Sequence, residues 1–308
     1  MIVLGRVGLR LALLITYMNP FSTSYLNDTP DSVLVSEILN GNKASLNGLV
    51  LRHQAFIYNI AWKMVGDPIQ AEDLTQETLL KIISNLSSFK GDSSFRTWAY
   101  RIVRNHFLND LKKPSRLFAD NFEDLGQMLD DSPSVDLSAE EQESKKEEIR
   151  EVRLQCLSGM LLCLTKEQRM IYIIGDIFGG DHTIGSEIME ISPDNFRKKL
   201  SNARQHLYNF MQNKCGLVNK ANPCRCNKKV TVAVESGMVD AKNLLFNKKE
   251  FSTFKESLEA DANYLVEESE HLYAALHRDH SYRTHFEKTN LIESILESPN
   301  WKERLNLN

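Results

Sequence analysis

From Val33 to Phe210 the apolar residues recur mostly at three- and four-residue steps, the period of helices that bury one face. The pattern predicts a first helix that Asp31 can cap, with Val33, Leu34, Ile38 and Leu39 inward. A second helix is predicted over residues 46–65, with Leu49, Val50, Phe56, Ile57, Ile60, Ala61 and Met64 inward, broken by Gly66-Asp67-Pro68. An acidic helix follows from about Ala71. Over residues 92–113, Phe95, Trp98, Ala99, Ile102, Val103 and Phe107 share one face, Ser93 or Ser94 can cap, and Pro114 ends the run.

The period then lapses. Residues 114–151 show no clear apolar repeat until about Glu140 and contain Pro133, which reads as a flexible acidic linker. It resumes with Val152, Cys156, Leu157, Met160, Leu161 and Leu164. Thr165 with Gln168 forms a capping box ahead of Met170, Ile171, Ile174 and Ile177. A short helix over 183–189, a turn at Glu190-Ile191-Ser192 and a long helix from Pro193 make a helix-turn-helix pattern. Ser192 as cap and Pro193 in the first turn mark that start, and Phe196, Leu200, Ala203, Leu207 and Phe210 form the inner stripe. Gly185 sits inside the short helix, at a cost of about 1 kcal/mol relative to alanine. A last helix is predicted over 251–276, with Phe254, Leu258, Ala262, Leu265, Leu272 and Leu276 inward.

The predicted fold is therefore all-α. It has a first small helical domain over 27–113, the linker over 114–151, a second domain over 152–214 and a mostly helical extension over 215–308. Residues 1–26 are a separate apolar segment. Met1 to Met18 carries Arg6 and Arg10, and is too short and interrupted for a membrane span. A start assigned too early, with Met18 the true start, is the preferred reading over a weak signal peptide.

Bulk charge, at −4, does not announce a nucleic-acid binder, but its distribution does suggest modules with different partners. Residues 119–151 hold twelve acidic and three basic side chains, and residues 193–229 hold nine basic and one acidic. On the 92–113 helix, Arg96, Arg101, Arg104, Asn105 and Asn109 face away from the apolar stripe, and aromatics are interleaved with the charge. Cations hold phosphates and exposed rings stack on unpaired bases, which suits single-stranded nucleic acid. Taken alone, the stretch also fits a core helix with a solvated basic face. No P-loop, Gly-rich dinucleotide fingerprint or HExxH motif is present, so no catalytic role is expected.

Phe95-Arg96-Thr97-Trp98-Ala99-Tyr100-Arg101-Ile102, followed by Arg104-Asn105, resembles region 2 of bacterial sigma factors of the extracytoplasmic-function (ECF) type. Ala71-Glu72-Asp73-Leu74-Thr75-Gln76-Glu77 resembles that family's A-E-D-L-x-Q-E pattern, and Leu164-Thr165-Lys166-Glu167-Gln168-Arg169 its region 4 start, with Thr165 in place of the proline. The likeness covers roughly residues 47–211. It implies a cytoplasmic transcription factor, with no stable membrane insertion, that works with core RNA polymerase, contacting its β′ clamp and β flap, and with promoter DNA. Asp73, Gln76 and Glu77 would meet the clamp. Lys90, Asp92, Ser93 and Ser94 would shape a pocket for a base flipped from the −10 element, with Arg101, Arg104 and Asn105 on the DNA side. On the recognition helix Asp194, Asn195, Arg197 and Lys198 would enter the −35 major groove, Arg197 suiting guanine and Asn195 adenine. Lys199, Ser201 and Arg204 would hold phosphates. The likeness leaves open an anti-sigma partner. It departs at Gly179-Gly180-Asp181-His182, which replaces an acidic-aromatic run.

Two other classes remain open at this point: a polymerase-independent helix-turn-helix regulator, and a metal- or redox-sensing switch in the extension. Five cysteines are an odd number with three clustered, which excludes a secreted disulfide framework. No cofactor is required, but Cys215, Cys224 and Cys226 can supply three thiolates to one metal ion, with His206 or a distal histidine as the fourth ligand. A loop whose thiols have no special role explains them too. His277, His280 and His285 read as solvated surface.

Overall fold

Side-chain caps decide where most of the helices start. The computed structural model describes residues 29–109, 119–246, 252–253, 276–277 and 280–283. Helix α1 (Asp31–Leu39) begins directly after Pro30. Asp31 does not cap it: its carboxylate is buried, accepts from Arg52 Nη1 at 2.7 Å and lies 3.2 Å from His53 Nε2. Helix α2 (Lys43–Val65) starts earlier than the apolar period suggests, because the Asn42 side chain accepts from the Ala44 and Ser45 N–H groups. Gly66, at φ 70°, closes it. Helix α3 (Pro68–Ser84) is capped by Asp67, and α4 (Phe95–Asn109) by Ser94, whose Oγ accepts from Thr97 N–H at 3.1 Å. The expected continuation of α4 to residue 113 lies outside the described residues.

The acidic stretch is not a bare tether. It carries α5 (Phe122–Asp131), capped by Asn121, and α6 (Ala139–Ser144), opened by a Ser138–Glu141 capping box. Phe122, Leu125, Met128 and Leu129 make a narrow stripe diluted by carboxylates, which hid the period. Leu125 is buried, and the Phe122 ring lies 5.2 Å from that of Phe210. Helix α7 (Lys146–Leu162) then leads through the predicted Thr165–Gln168 capping box into α8 (Lys166–Tyr172). A wider π turn over Ile173–Ile177 follows. Helices α9 (His182–Met189) and α10 (Pro193–Lys214) form the helix-turn-helix, with Ser192 as cap and Pro193 in the first turn of α10. A Cβ on Gly185 would lie 2.3 Å from the Phe196 ring, so glycine is what lets α9 approach α10 this closely.

The two helical units share one apolar core. Helix α2 packs on α7 and α8, and α4 packs on α8 and α9. Arg169 bolts the joint. Its guanidinium donates to the carbonyls of Leu161 (2.8 Å), Leu162 (2.7 Å), Leu164 (2.9 Å) and Met64 of α2. Burial pulls its pKa down to about 10.

The extension folds back over this joint. Helix α11 (Cys226–Glu235) lies on α7. The Glu151 carboxylate accepts from the Leu245 and Phe246 N–H groups at 3.0 Å each. Phe246 stacks on Trp62 at 5.6 Å, and His280 stands edge-on to both rings. His277 stands edge-on to Tyr172. Both histidines are fully buried, not solvated as expected, because aromatic partners enclose them; His285 lies outside the described residues. The segment predicted as a helix over 251–276 is largely outside them too. Its first described residues are extended: β1 (Ser252–Thr253) pairs antiparallel with β2 (Ser281–Tyr282), Ser252 opposite Tyr282. Among the described residues no helix is long and apolar enough to cross a membrane.

Candidate nucleic-acid interface

Helix α3 turns its inner face to the core through Thr75, Thr78, Leu79, Ile82 and Ile83. That leaves Asp73 and Glu77 exposed and Gln76 half-buried, one turn of an acidic outer face. All three residues assigned to one partner surface are thus brought together. Glu77 lies 3.4 Å from His106 Nε2 of α4. Its neighbour Glu72 is engaged by the extension, whose Arg283 Nη1 donates to it at 2.9 Å while the Arg283 backbone pairs with Asn59.

The loop between α3 and α4 exposes Lys90 and Asp92, with Ser93 half-buried. It rests on a cluster of three rings: Phe89, Phe95 and Trp98, at 5.5–5.6 Å centroid separations. Trp98 is half-buried, neither core nor free platform. Ser94 is taken by its capping bond.

On α4 Asn105 is exposed, but the two arginines are not free for DNA in this arrangement. Arg101 Nε donates to the Glu187 carbonyl at 2.9 Å, and Arg104 Nε to that of Ile188 at 3.2 Å. Arg104 is also paired with Glu190. These carbonyls end α9, where the helix dipole favours a cation. The last turn of the helix-turn-helix's first helix therefore sits on the basic face of α4.

Helix α10 behaves differently at its start. Asp194, Asn195, Arg197, Lys198 and Ser201 are exposed, and Arg197 makes only the local pair to Asp194 at 2.5 Å. That pair also holds the Asp194 carboxyl below its usual range. Lys199 and Arg204, expected on phosphates, point to the other side. Lys199 meets Glu167 at 2.7 Å, and Arg204 grips the buried Asp176 with both Nε (2.8 Å) and Nη2 (2.5 Å). The candidate DNA-facing residues of α10 that stand exposed without a bond to another element are thus Asp194, Asn195, Arg197, Lys198 and Ser201, toward the start of the helix. Sequence reasoning missed the roles of Arg169, Arg283 and Glu151. Arg169 stood in a quoted motif, but nothing in the spacing says that it bonds to α2.

Cys215, Cys224 and Cys226 line one small cavity without converging into a metal-binding group among the described residues, and His206 is exposed on α10. Cys156 of α7 lines the same small cavity.

A basic helix over an aromatic cluster, an acidic face one helix earlier and a helix-turn-helix behind are thus gathered around one shared core. The family described as Sigma-70 region 2 matches residues 49–117, which hold α3, the loop and α4. The chain is 28% identical over 193 residues to the ECF RNA polymerase sigma-E factor of Escherichia coli (strain K12), covering 59% of this chain and 94% of the relative. Residues 49–117 thus carry a Sigma-70 region 2, and the chain is similar to ECF sigma factors along most of their length. The RNA polymerase sigma-H factor of Pseudomonas aeruginosa is 26% identical over 190 residues, covering 61% of this chain and 96% of that protein. A solved complex of CnrH with the cytosolic domain of CnrY has a TM-score of 0.42 at 19% identity over 59% of this chain and 97% of that one. Both alignments run well beyond region 2.

Proposed function

We propose that this chain is a promoter-recognition subunit of cytoplasmic RNA polymerase that catalyses no reaction itself. In this reading α3 docks on the polymerase clamp through Asp73, Gln76 and Glu77. The loop at Lys90, Asp92 and Ser93 with α4 opens and captures the −10 element. The first turns of α10 read the −35 element through Asn195, Arg197 and Lys198. The observation that carries the reading is the Sigma-70 region 2 match on a segment whose acidic outer face is exposed and whose basic helix lies over three clustered rings.

The arrangement described above is a closed one. Arg101 and Arg104 hold the end of α9, so −10 recognition requires α4 and α9 to part. The extension bridges the same two units, since Phe246 and His280 lie on Trp62 of α2 while His277 lies on Tyr172 of α8. Core polymerase supplies the opening in this reading, by holding the two units at separate sites.

Run-off transcription with purified core polymerase on genomic promoter fragments tests it. The full-length chain is expected to give promoter-dependent transcripts, and Asp73→Lys with Glu77→Lys to abolish them while leaving the fold intact. Tight binding to promoter duplex with no binding to core enzyme would overturn the reading.

A further inference from the structure

Two cysteines sit on the loop between α10 and α11, a third opens α11, a fourth lies on α7, and no transcription step uses them. We infer that Cys156, Cys215, Cys224 and Cys226 form one tetrahedral thiolate site for a divalent zinc-class cation, stapling the end of the recognition helix and the start of α11 onto α7. The four side chains line a single cavity of about 20 Å³, whose other walls are apolar side chains such as Leu129, Leu157 and Met160 together with Arg153 and Lys214. That is room for about one atom of water size. Four thiolates around an atom-sized, largely apolar space are the donor set of a closed structural zinc site.

The loop is built to hold its thiols together. Cys215 and Cys224 are joined by a parallel backbone bridge, with Gly216 N–H donating to the Cys224 carbonyl at 3.1 Å. Arg225 ties the turn from inside: Nη1 donates to the Cys224 carbonyl at 3.0 Å and also to Asn222, and Nη2 donates to Lys220 at 2.7 Å. The Asn222 side chain donates to the Gln212 and Cys215 carbonyls at 2.9 and 3.2 Å. A Cβ on Gly216 would overlap the Arg225 guanidinium at 1.4 Å, so only glycine allows the two limbs to close. Such a network around a short loop positions ligands rather than core. Among the described residues the thiols do not yet converge as a finished ligand set, so metal uptake draws them inward.

A redox pair is the competing use of such thiols. A disulfide would take two of these thiols and leave the other two lining the cavity without a role. Cys163, immediately after the helix that carries Cys156, is outside the cavity and serves as an internal control.

The test is metal content of the full-length chain purified without a metal-affinity tag. About one zinc per chain is expected, retained by Cys163→Ser and lost from Cys156→Ser, Cys224→Ser and Cys226→Ser. The last two lie at the end of the loop and the start of α11, outside the main core, so their effect does not depend on core packing. Cobalt(II) alone, added to the chelator-stripped chain, is expected to give the charge-transfer and visible bands of a tetrahedral four-thiolate site, weakened in Cys156→Ser. Absence of both zinc and cobalt binding in the parent chain overturns the site. Unchanged binding in Cys156→Ser overturns the assignment of the fourth ligand. A Cys215–Cys224 disulfide in freshly purified protein makes the loop a redox device instead and overturns the proposal. None of these outcomes depends on promoter recognition.

Discussion

Arg101 and Arg104 on α4 and Arg197 and Lys198 on α10 are chemically alike and structurally opposed. The first pair is folded inward onto the carbonyl end of α9, whereas the second stands in solvent at the start of its helix. In the proposed reading, one chain thus holds two DNA-reading surfaces in different states of readiness. The surface proposed for the −35 element would need no rearrangement. The one proposed for the −10 element is covered by the neighbouring unit, and the extension lies across the same joint. The lesson is that a basic residue on an outer helix face in sequence can be a partner to the chain itself. Which it is depends on what the far end of the fold delivers.

The largest test of that contrast is at the joint. Trp62 is fully buried on α2 and carries Phe246 and His280 of the extension. Trp62→Ala is expected to lower stability by about 3–5 kcal/mol and to free residues 245–246 and 280. Denaturant unfolding measures the first, and hydrogen exchange at the Leu245 and Phe246 amides the second. If those amides stay protected in the variant, the extension is held by Glu151 rather than by the aromatic stack.

The two kinds of arginine on α10 separate next. Arg204→Ala leaves the buried Asp176 carboxylate without its bidentate partner and is expected to lower stability by about 2 kcal/mol. Arg197→Ala, losing an exposed local pair, is expected to stay within about 0.5 kcal/mol of the parent. Promoter affinity should move the other way: Arg197→Ala weakens it and relaxes discrimination at one base pair by about 1–3 kcal/mol. Equal effects of the two variants on affinity would show that Arg204 leaves Asp176 for DNA.

The joint also has a pH signature. Lys63 of α2 is buried, with Nζ 5.8 Å from the Trp62 ring centre and 6.0 Å from that of Phe178. Burial lowers its pKa from 10.5 to about 7. Between those values the unfolded chain holds a proton that the folded chain has released, so this group makes stability rise with pH from about 7 upward. The slope is at most about 1.4 kcal/mol per pH unit. Lys63→Met is expected to be more stable than the parent below pH 7 and to lose that part of the slope. Parallel stability profiles for the two proteins would place the Lys63 ammonium in contact with solvent.

Much of this was legible in the chain. The helix-turn-helix was marked by residues whose physics is local: Ser192 and Pro193 at a helix start, and Phe196, Leu200, Ala203 and Leu207 on one face. The same holds for the Thr165 box, whereas Asp73, Gln76 and Glu77 were singled out by the likeness to the A-E-D-L-x-Q-E pattern and not by local physics. What could not be read were long-range engagements. Asp31 looks like a cap until Arg52 and His53 arrive from α2. His277 and His280 look polar until rings enclose them. Helix α5 hides because carboxylates dilute a stripe that Phe210, far along the chain, completes. Gly185 looks like a local penalty until Phe196 occupies the space its Cβ would need.

The smallest expected change in stability comes with an informative change in activity. Glu190 is the described non-glycine residue with left-handed backbone, at φ 54°, and it also holds Arg104. Glu190→Gly relieves the backbone conformation and removes the ion pair together. An ion pair exposed on one side contributes at most about 1 kcal/mol, and the backbone relief offsets it, so the unfolding midpoint is expected to shift by less than that amount. The closed contact between α4 and α9 loses its one side-chain ion pair while the turn keeps its shape. Run-off transcription at limiting core polymerase is therefore expected to increase, and Arg104→Ala, which frees α9 but removes a DNA contact, is expected not to reproduce the gain. If Glu190→Gly transcribes no better than the parent, the carbonyl bonds from Arg101 and Arg104 suffice to keep α4 covered. The contrast between the two surfaces would then rest on the helix end itself rather than on charge.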